Sequence, residues 1–380
     1  MDQDKTAMRV AFLSFDFGEY SVRLANALAE HSSVLLMLPE GLADPFLADL
    51  DERVIYRPFP RVRFRQPLAQ MRRNRRLIRQ IFSFGADVLH LQQGSMWFNI
   101  GLQFEHRLPV VLTVHDAEPH TGDKLSRKTP CFFWKLGFRR ADQIIAHSLY
   151  VRDTLQHQLG MPVQSLHVIP HIQIGQGHEA TALAPDDGMT VLFFGRIWPY
   201  KGLEYLIRAE PWITKQIPGL KIVIAGTGEG FDRYERMMVH RERFVVLNRH
   251  ISEEEVSRLF QEASLVVLPY IESSQSGVIP VAYTYGKPVV ATRVGGLPEM
   301  VVDGVTGVLV PPRDEQKLAE AIVMVLTDDV LRRKMGQAAK KQIERECAPA
   351  VVAQETLNVY RIACLGRQQA MTRTSAQSIA

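Results

Sequence analysis

The feature that most constrains this chain is an alternation. Short β-branched runs recur along it at roughly regular intervals, with amphipathic stretches between them. In the first half the runs are Arg9–Leu13, Ser33–Leu38, Val54–Tyr56, Asp87–Leu91, Val110–Val114, Gln143–Ala146 and Leu166–Ile169. In the second half they are Thr190–Phe194, Lys221–Ala225, Phe244–Leu247, Leu265–Leu268, Val289–Ala291 and Val308–Val310. Most are apolar throughout rather than every second residue, so both faces of each strand need cover. Helical patterns such as Val22–Glu30, Leu203–Lys215, Glu253–Glu262 and Gln316–Leu326 supply it. The pattern predicts an α/β chain with two parallel sheets, each the core of a Rossmann-like domain.

The 380 residues are more than one compact domain needs and enough for two. The predicted first domain is 1–172. Gln173–Met189 carries Gly175, Gly177, Gly188, Pro185 and the pair Asp186–Asp187 without any period, which reads as a hinge. The second domain is then 190–348. A helix at 349–366, centred on Val351–Cys364, follows its last strand and helix and is expected to return to the first domain. The polar stretch 367–380 is expected to be disordered.

Composition excludes several classes. With 46% hydrophobic and 23% charged residues the chain is neither disordered nor collagen-like. No apolar run approaches the ~20 residues that span a bilayer, and Val10–Phe15 is too short for a signal core. Cys131, Cys347 and Cys364 lack metal-site or disulfide spacing, so a reducing cytoplasm is the expected setting. The net charge of +4 rests on one segment, because Arg57–Arg79 holds nine arginines and no acid. Basic residues confined to one segment, without interleaved aromatics elsewhere, exclude a nucleic-acid binder. Within that segment Leu68, Met71, Ile78, Ile81 and Phe82 recur near helical spacing, while Arg72, Arg73, Arg75, Arg76 and Arg79 fill most other positions. The expectation is a helix with one packed face and one cationic face suited to peripheral contact with an anionic membrane.

Chemistry concentrates at two corners of the second half. In Phe193–Ile207 a strand ends at Gly195, Arg196 and Lys201 follow in one short loop, and a helix opens near Gly202. A strand end facing a helix start favours anions, and a guanidinium fork plus an ammonium suits a diphosphate. In Leu268–Thr292 a strand runs into Ser273–Ser274–Gln275–Ser276–Gly277 and then a helix Val278–Tyr285, so Ser276, Gly277 and Val278 offer further donors. The turns Gly295–Gly296 and IAGTGEG read as structural. Asp49–Leu50–Asp51 ends a helical stretch instead of following a buried strand, and no metal site is read in it.

Taken together and in order, these segments resemble the retaining glycosyltransferases of family 4, the group with the two-domain GT-B fold. The resemblance is carried by GRIWPYKGLEYLI, IAGTGEG, SQSGV with GKPVVAT, and VGGLPEMVVDG, and more loosely by LTVHD (Leu112–Asp116), Arg139–Leu155 and Val168–His171. It implies two Rossmann-like domains facing across a cleft and a sugar moved, with retention, from a nucleotide-diphosphate donor to a glycan, lipid-linked or small-molecule acceptor. Polysaccharide biosynthesis is the implied setting. Arg196 and Lys201 would hold the diphosphate, with Gly195, Glu272, Ser276, Gly277 and Val278 around the donor. His115 would reach the donor sugar, and Gly18 stands where a glycine pair is common. The resemblance implies no cofactor beyond the substrate and no metal. Two family glutamates match Ser273 and Val281 here; a branch with a Ser-Gln-Ser-Gly-Val block lacks the pair. The alternatives are a non-catalytic GT-B module that binds glycan or a partner enzyme, and a sugar-nucleotide epimerase on the same fold.

Overall fold

The computed structural model describes residues 7–92, 94–117, 131–175 and 187–377. They divide into two compact units, one of residues up to 172 together with 348–377, the other of 173–175 and 187–347. Of the expected hinge, 176–186 lie outside the described residues.

The first unit is built on seven parallel strands: β1 (Arg9–Ser14), β2 (Ser33–Met37), β3 (Ile55–Tyr56), β4 (Val88–Gln92), β5 (Val110–Val114), β6 (Gln143–Ala146) and β7 (Leu166–Val168). Their order is β3-β2-β1-β4-β5-β6-β7. The second unit has β8 (Thr190–Phe194), β9 (Lys221–Ala225), β10 (Phe244–Leu247), β11 (Leu265–Leu268), β12 (Val289–Thr292) and β13 (Gly307–Val310). These are also parallel, in the order β10-β9-β8-β11-β12-β13. Each β-branched run of the sequence is therefore a strand, with ends shifted by at most a residue or so.

Side chains alternate between sheet faces. In the second unit Val191, Phe193, Ile222 and Ile224 pack beneath helices Leu203–Thr214 and Glu315–Thr327. Leu192, Val223, Val266 and Leu268 enter the other core, with helices Glu253–Glu262 and Asp329–Glu346. Covering both faces explains the continuous apolar runs. In both sheets strand order reverses beside the first strand, between β1 and β4 and between β8 and β11. Crossovers diverge there, and the carboxyl ends of those strands leave a crevice where such sheets bind ligands.

Two expectations need correction. The last helix runs Pro349–Gln377, so the disordered tail expected from residue 367 is helical as far as Gln377. Gly366 meets nothing within 4 Å and costs a helix only about 1 kcal/mol. Arg367 beyond it reaches the Asp142 carboxylate at 3.6 Å, so the added turns have an anchor. The arginine helix Pro67–Phe84 forms, but its buried residues are Gln70, Arg73, Asn74, Leu77 and Ile81. Leu68 and Met71, expected in the core, are 70% and 46% exposed. Leu77 and Ile81 set the phase of the helix by entering the core, which places Gln70, Arg73 and Asn74 beneath it. Gln70 Nε2 donates to the Val62 carbonyl at 3.0 Å and Asn74 Nδ2 to the Trp97 carbonyl at 2.8 Å, so these polar groups tolerate burial.

The C-terminal helix packs on helix Gly18–Ala29 and on the sheet of the first unit. Its Tyr360 hydroxyl, fully buried, lies 2.6 Å from Nδ1 of the equally buried His90, whose Nε2 is 2.7 Å from Thr113 Oγ1. Burial pushes the His90 imidazole down to about 3 and raises the Tyr360 phenol, so the ring is neutral and the phenol keeps its proton to donate. Tyr360→Phe leaves a buried ring nitrogen without its donor and should destabilise the first unit by about 1–3 kcal/mol. Urea unfolding followed by tyrosine-insensitive far-UV dichroism checks this; an unchanged midpoint would show that the bond contributes nothing.

Candidate functional site

The second unit's switch point gathers the cations singled out in the sequence. The loop after β8 carries Gly195 and Arg196, then a single 3-10 turn, Pro199–Lys201, and Gly202 before helix Leu203–Thr214. Gly202 has φ +64°, and a Cβ on it would lie 2.0 Å from the Pro269 carbonyl oxygen at the end of β11. Only glycine allows this approach, and it brings Lys201 to the neighbouring strand end. There Lys201 Nζ donates to Tyr270 Oη at 2.6 Å and stands 4.3 Å from the centre of the Tyr270 ring. The phenol is buried, with Ser276 Oγ at 3.5 Å. Arg196 is exposed, its guanidinium 4.7 Å from the Trp198 ring. Among the described residues neither Arg196 nor Lys201 has a carboxylate partner. Two cations held by aromatic and phenolic groups keep their charge available for an anion.

The loop after β11 brings Glu272, half-buried, and a compact Ser273–Gly277 turn. Ser273 Oγ donates to the Gln275 carbonyl at 2.8 Å, and Ser276 Oγ accepts from the Val278 N–H at 3.2 Å. That N–H, counted from the sequence as a ligand donor, is thus already used within the turn. Gly277 precedes helix Val278–Thr284, and a side chain added to Gly195 would meet Lys201 Nζ and Val278 Cγ2 at 3.8 Å each. Gly195, Lys201, Ser276 and Val278 therefore share one corner. Val281, where the family places a glutamate, is buried in the apolar core. Sequence reasoning missed Tyr270 and the side chain of Gln275. The Gln275 amide Oε1 is buried with no hydrogen-bond partner among the described residues. Tyr270 gave a usable signal, since a tyrosine directly after an apolar strand is placed at the strand end.

In the first unit His115 follows β5 and is buried. Its Nε2 lies 2.6 Å from Gln92 Oε1 at the end of β4, an amide oxygen that only accepts, so Nε2 carries the proton. His147 follows β6 with its ring centre 4.7 Å from that of His115, and His171, past β7, is at 6.0 Å. Burial first, and then the neighbouring histidines His147, His171 and His90, hold the His115 pKa well below its ordinary value. His147 and His171 are pushed down to about 3 and about 4, also chiefly by burial. At neutral pH the cluster is uncharged. It presents polar ring edges rather than cations. Among the described residues no group of three His, Cys, Asp or Glu is placed to share a metal ion. The Phe17 ring stacks on His115 at 3.8 Å, although its backbone sits at φ +63°, a costly conformation outside glycine. Packing also requires glycine at Gly18: a Cβ there would lie 2.3 Å from the Leu42 carbonyl oxygen.

Comparison with known proteins agrees with this fold. The family described as Glycosyl transferases group 1 matches residues 188–328, and Glycosyltransferase Family 4 matches residues 18–172. An uncharacterized glycosyltransferase of Methanocaldococcus jannaschii is 35% identical over 47% of this chain but only 46% of its own length. The glycogen synthase of Mycobacterium tuberculosis is 30% identical over 77% of this chain and 72% of its own. Among solved structures, HepE of Anabaena in complex with UDP-glucose superposes with a TM-score of 0.71 at 21% identity, covering 92% of this chain and 99% of that one. At that identity the likeness shows the fold alone, two Rossmann-like domains of the GT-B type. With both halves matched and a relative covered over most of its length, the chain belongs to the group 1 glycosyltransferases of family 4.

Proposed function

We propose that this chain moves a sugar from a nucleoside-diphosphate donor to an acceptor, with retention at the anomeric carbon and without a bound metal. One observation carries the reading: Arg196 and Lys201, neither paired with a carboxylate among the described residues, both stand in the loop that leaves β8 beside the switch point with β11, where Lys201 reaches Tyr270. Departure of the diphosphate places negative charge there, and preorganised cations lower that barrier more than they stabilise the ground state. Glu272 is the carboxylate of this loop, and no flanking pair of the kind a hydrolase needs is apparent in it. The departing phosphate oxygen then takes the acceptor proton on the face it leaves, which retains configuration. His115, neutral and with its Nε2 proton directed to Gln92, is assigned to the transferred sugar. HepE was solved with UDP-glucose, so a uridine nucleotide is the first donor to test.

One observation favours a second reading, a non-catalytic binding module: the glutamate expected to hold ribose is the core residue Val281. Calorimetry with nucleoside diphosphates, then release of free nucleotide on adding acceptor, separates the two. Product NMR decides retention, and turnover unchanged in a strong chelator supports metal independence.

Arg196→Ala and Lys201→Ala should each weaken diphosphate binding and turnover roughly tenfold or more, the loss of one charge-assisted contact of about 1.5–3 kcal/mol. Unaltered kinetics in both variants would remove this corner from the mechanism. Gln275 and Glu272 are assigned to hydroxyls of the donor in place of the missing glutamates. Gln275→Ala and Glu272→Gln should raise the donor KM several-fold with kcat less affected, and wild-type kinetics in both would leave the contact elsewhere.

The proposed setting is the cytoplasm, at an anionic membrane face met by the exposed arginines of Arg57–Arg79. No helix among the described residues is long and apolar enough to cross a membrane. Sedimentation with anionic but not neutral vesicles, weakening as salt rises, is the expected outcome. Equal recovery in the supernatant under all conditions would refute it.

A further inference from the structure

The arginine helix borders a cavity of about 310 Å³ in the first unit, walled by Arg72, Arg73 and Arg76 and by the apolar Phe59, Val62 and Leu77. Arg73 is 9% exposed. Its Nε and Nη2 both turn to Asn74 Oδ1, at 3.3 and 3.0 Å, and its guanidinium lies 5.1 Å from the Phe15 ring and 5.8 Å from that of Phe59. Among the described residues Nη1 donates to no group and no carboxylate faces this cation. Burial lowers its pKa, because no opposing charge stands beside it. Arg72 and Arg76 stand one turn apart, an i, i+4 like-charge pair that destabilises a helix on its own. No acid occurs anywhere from Arg57 to Arg79 to relieve it. Around the cavity the preceding loop is tied down: Gln70 Nε2 holds the Val62 and Arg63 carbonyls at 3.0 and 3.3 Å, and Trp97 Nε1 holds that of Phe64 at 3.0 Å. Phe64, Leu68 and Met71 at the same end of the helix are 47%, 70% and 46% exposed.

We infer that this cavity binds the phosphate of a phosphate ester whose organic part is apolar near the phosphorus. Three guanidinium groups converge on one space, and guanidinium matches phosphate oxygens in geometry as well as charge. The volume is at the small end of ligand sites, sufficient for a phosphate and the first atoms of its ester. Phe59, Val62 and Leu77 suit an alkyl or glycerol carbon rather than a sugar or a base. A soluble phosphate ester and a phospholipid headgroup share this chemistry. The inference does not depend on the transferase reading, and it differs from the membrane contact above in requiring the buried Arg73.

The test uses the full chain at constant ionic strength. Inorganic phosphate and glycerol 3-phosphate should raise the unfolding temperature saturably, where chloride at equal ionic strength does not. Arg73→Met keeps the volume and removes the unpaired charge, so it should fold at least as stably and bind phosphate about tenfold or more weakly. If that variant fails to fold, the double variant Arg72→Gln/Arg76→Gln, altered only at exposed positions, should show the same loss. Vesicles of phosphatidylcholine with phosphatidic acid then identify the source. Sedimentation that free phosphate competes away, and that Arg73→Met weakens, assigns a lipid headgroup. Saturable binding of the soluble ester with no competition at vesicles assigns a free ester. Vesicle binding that is identical in Arg73→Met, with no saturable effect of phosphate on the wild type, overturns the cavity while leaving the membrane contact standing.

Discussion

The site in the second unit depends on backbones that touch. A Cβ on Gly202 would fall 2.0 Å from the Pro269 oxygen, and one on Gly226 the same distance from the Gly195 oxygen. One on Gly228 would lie 2.5 Å from Ile197 Cβ. The loops leaving β8, β9 and β11 therefore close on one another with no room for a side chain on any of these glycines, at φ values of +64° for Gly202 and +139° for Gly226 that other residues resist. This close approach fixes where Lys201 emerges, hence its bond to Tyr270. The glycine-rich turn after β9 belongs to the same device: it clears space for the β8 loop. An added methyl at any of these positions would displace a strand end, and with it the cation.

The first unit reaches a polar strand-end site by a different route. Its strand β4 ends in Gln92, and β5 and β6 are followed directly by His115 and His147, all buried. Sequestered from water and close to one another, the imidazoles cannot all hold protons, so desolvation and mutual repulsion keep them neutral. A neutral imidazole orients hydroxyls without attracting anions. The corner in the second unit does the opposite, with charge and little burial at Arg196. The two units thus present chemically distinct strand-end surfaces, one cationic and one neutral.

Fold was legible to the extent that burial wrote itself into the sequence. All the strands announced themselves because a parallel sheet covered on both faces requires unbroken apolar runs, as in Val110–Val114. The cationic corner was legible because Arg196 and Lys201 lie within one loop of a strand end. What stayed hidden depended on phase and on contacts distant in sequence. Leu68 and Met71 look like core residues by composition, yet the helix turns so that Gln70, Arg73 and Asn74 lie inside, with Gln70 and Asn74 bound to carbonyls the sequence does not announce. The helical continuation past Gly366 depends on Asp142, far away in the chain. The histidine cluster was half visible, with His115 found and His147 and His171 missed, because each follows a different strand and only the strand order makes them neighbours.

One physical device recurs in the two units. A cation is held in place by a neutral partner, not by a carboxylate. Lys201 donates to the Tyr270 phenol, and Arg73 donates to the Asn74 amide oxygen. A carboxylate would hold either more tightly, but it would also cancel the charge that an incoming phosphate needs to find. A phenol or an amide fixes direction while leaving the field intact. The cost is a less stable unliganded state, greatest at Arg73 because it is the more deeply buried of the two. That cost is recovered only when an anion binds, since the interaction grows as water is excluded. A carboxylate in place of Asn74, nearly the same size, would therefore stabilise the unliganded protein and weaken a phosphate held at Arg73.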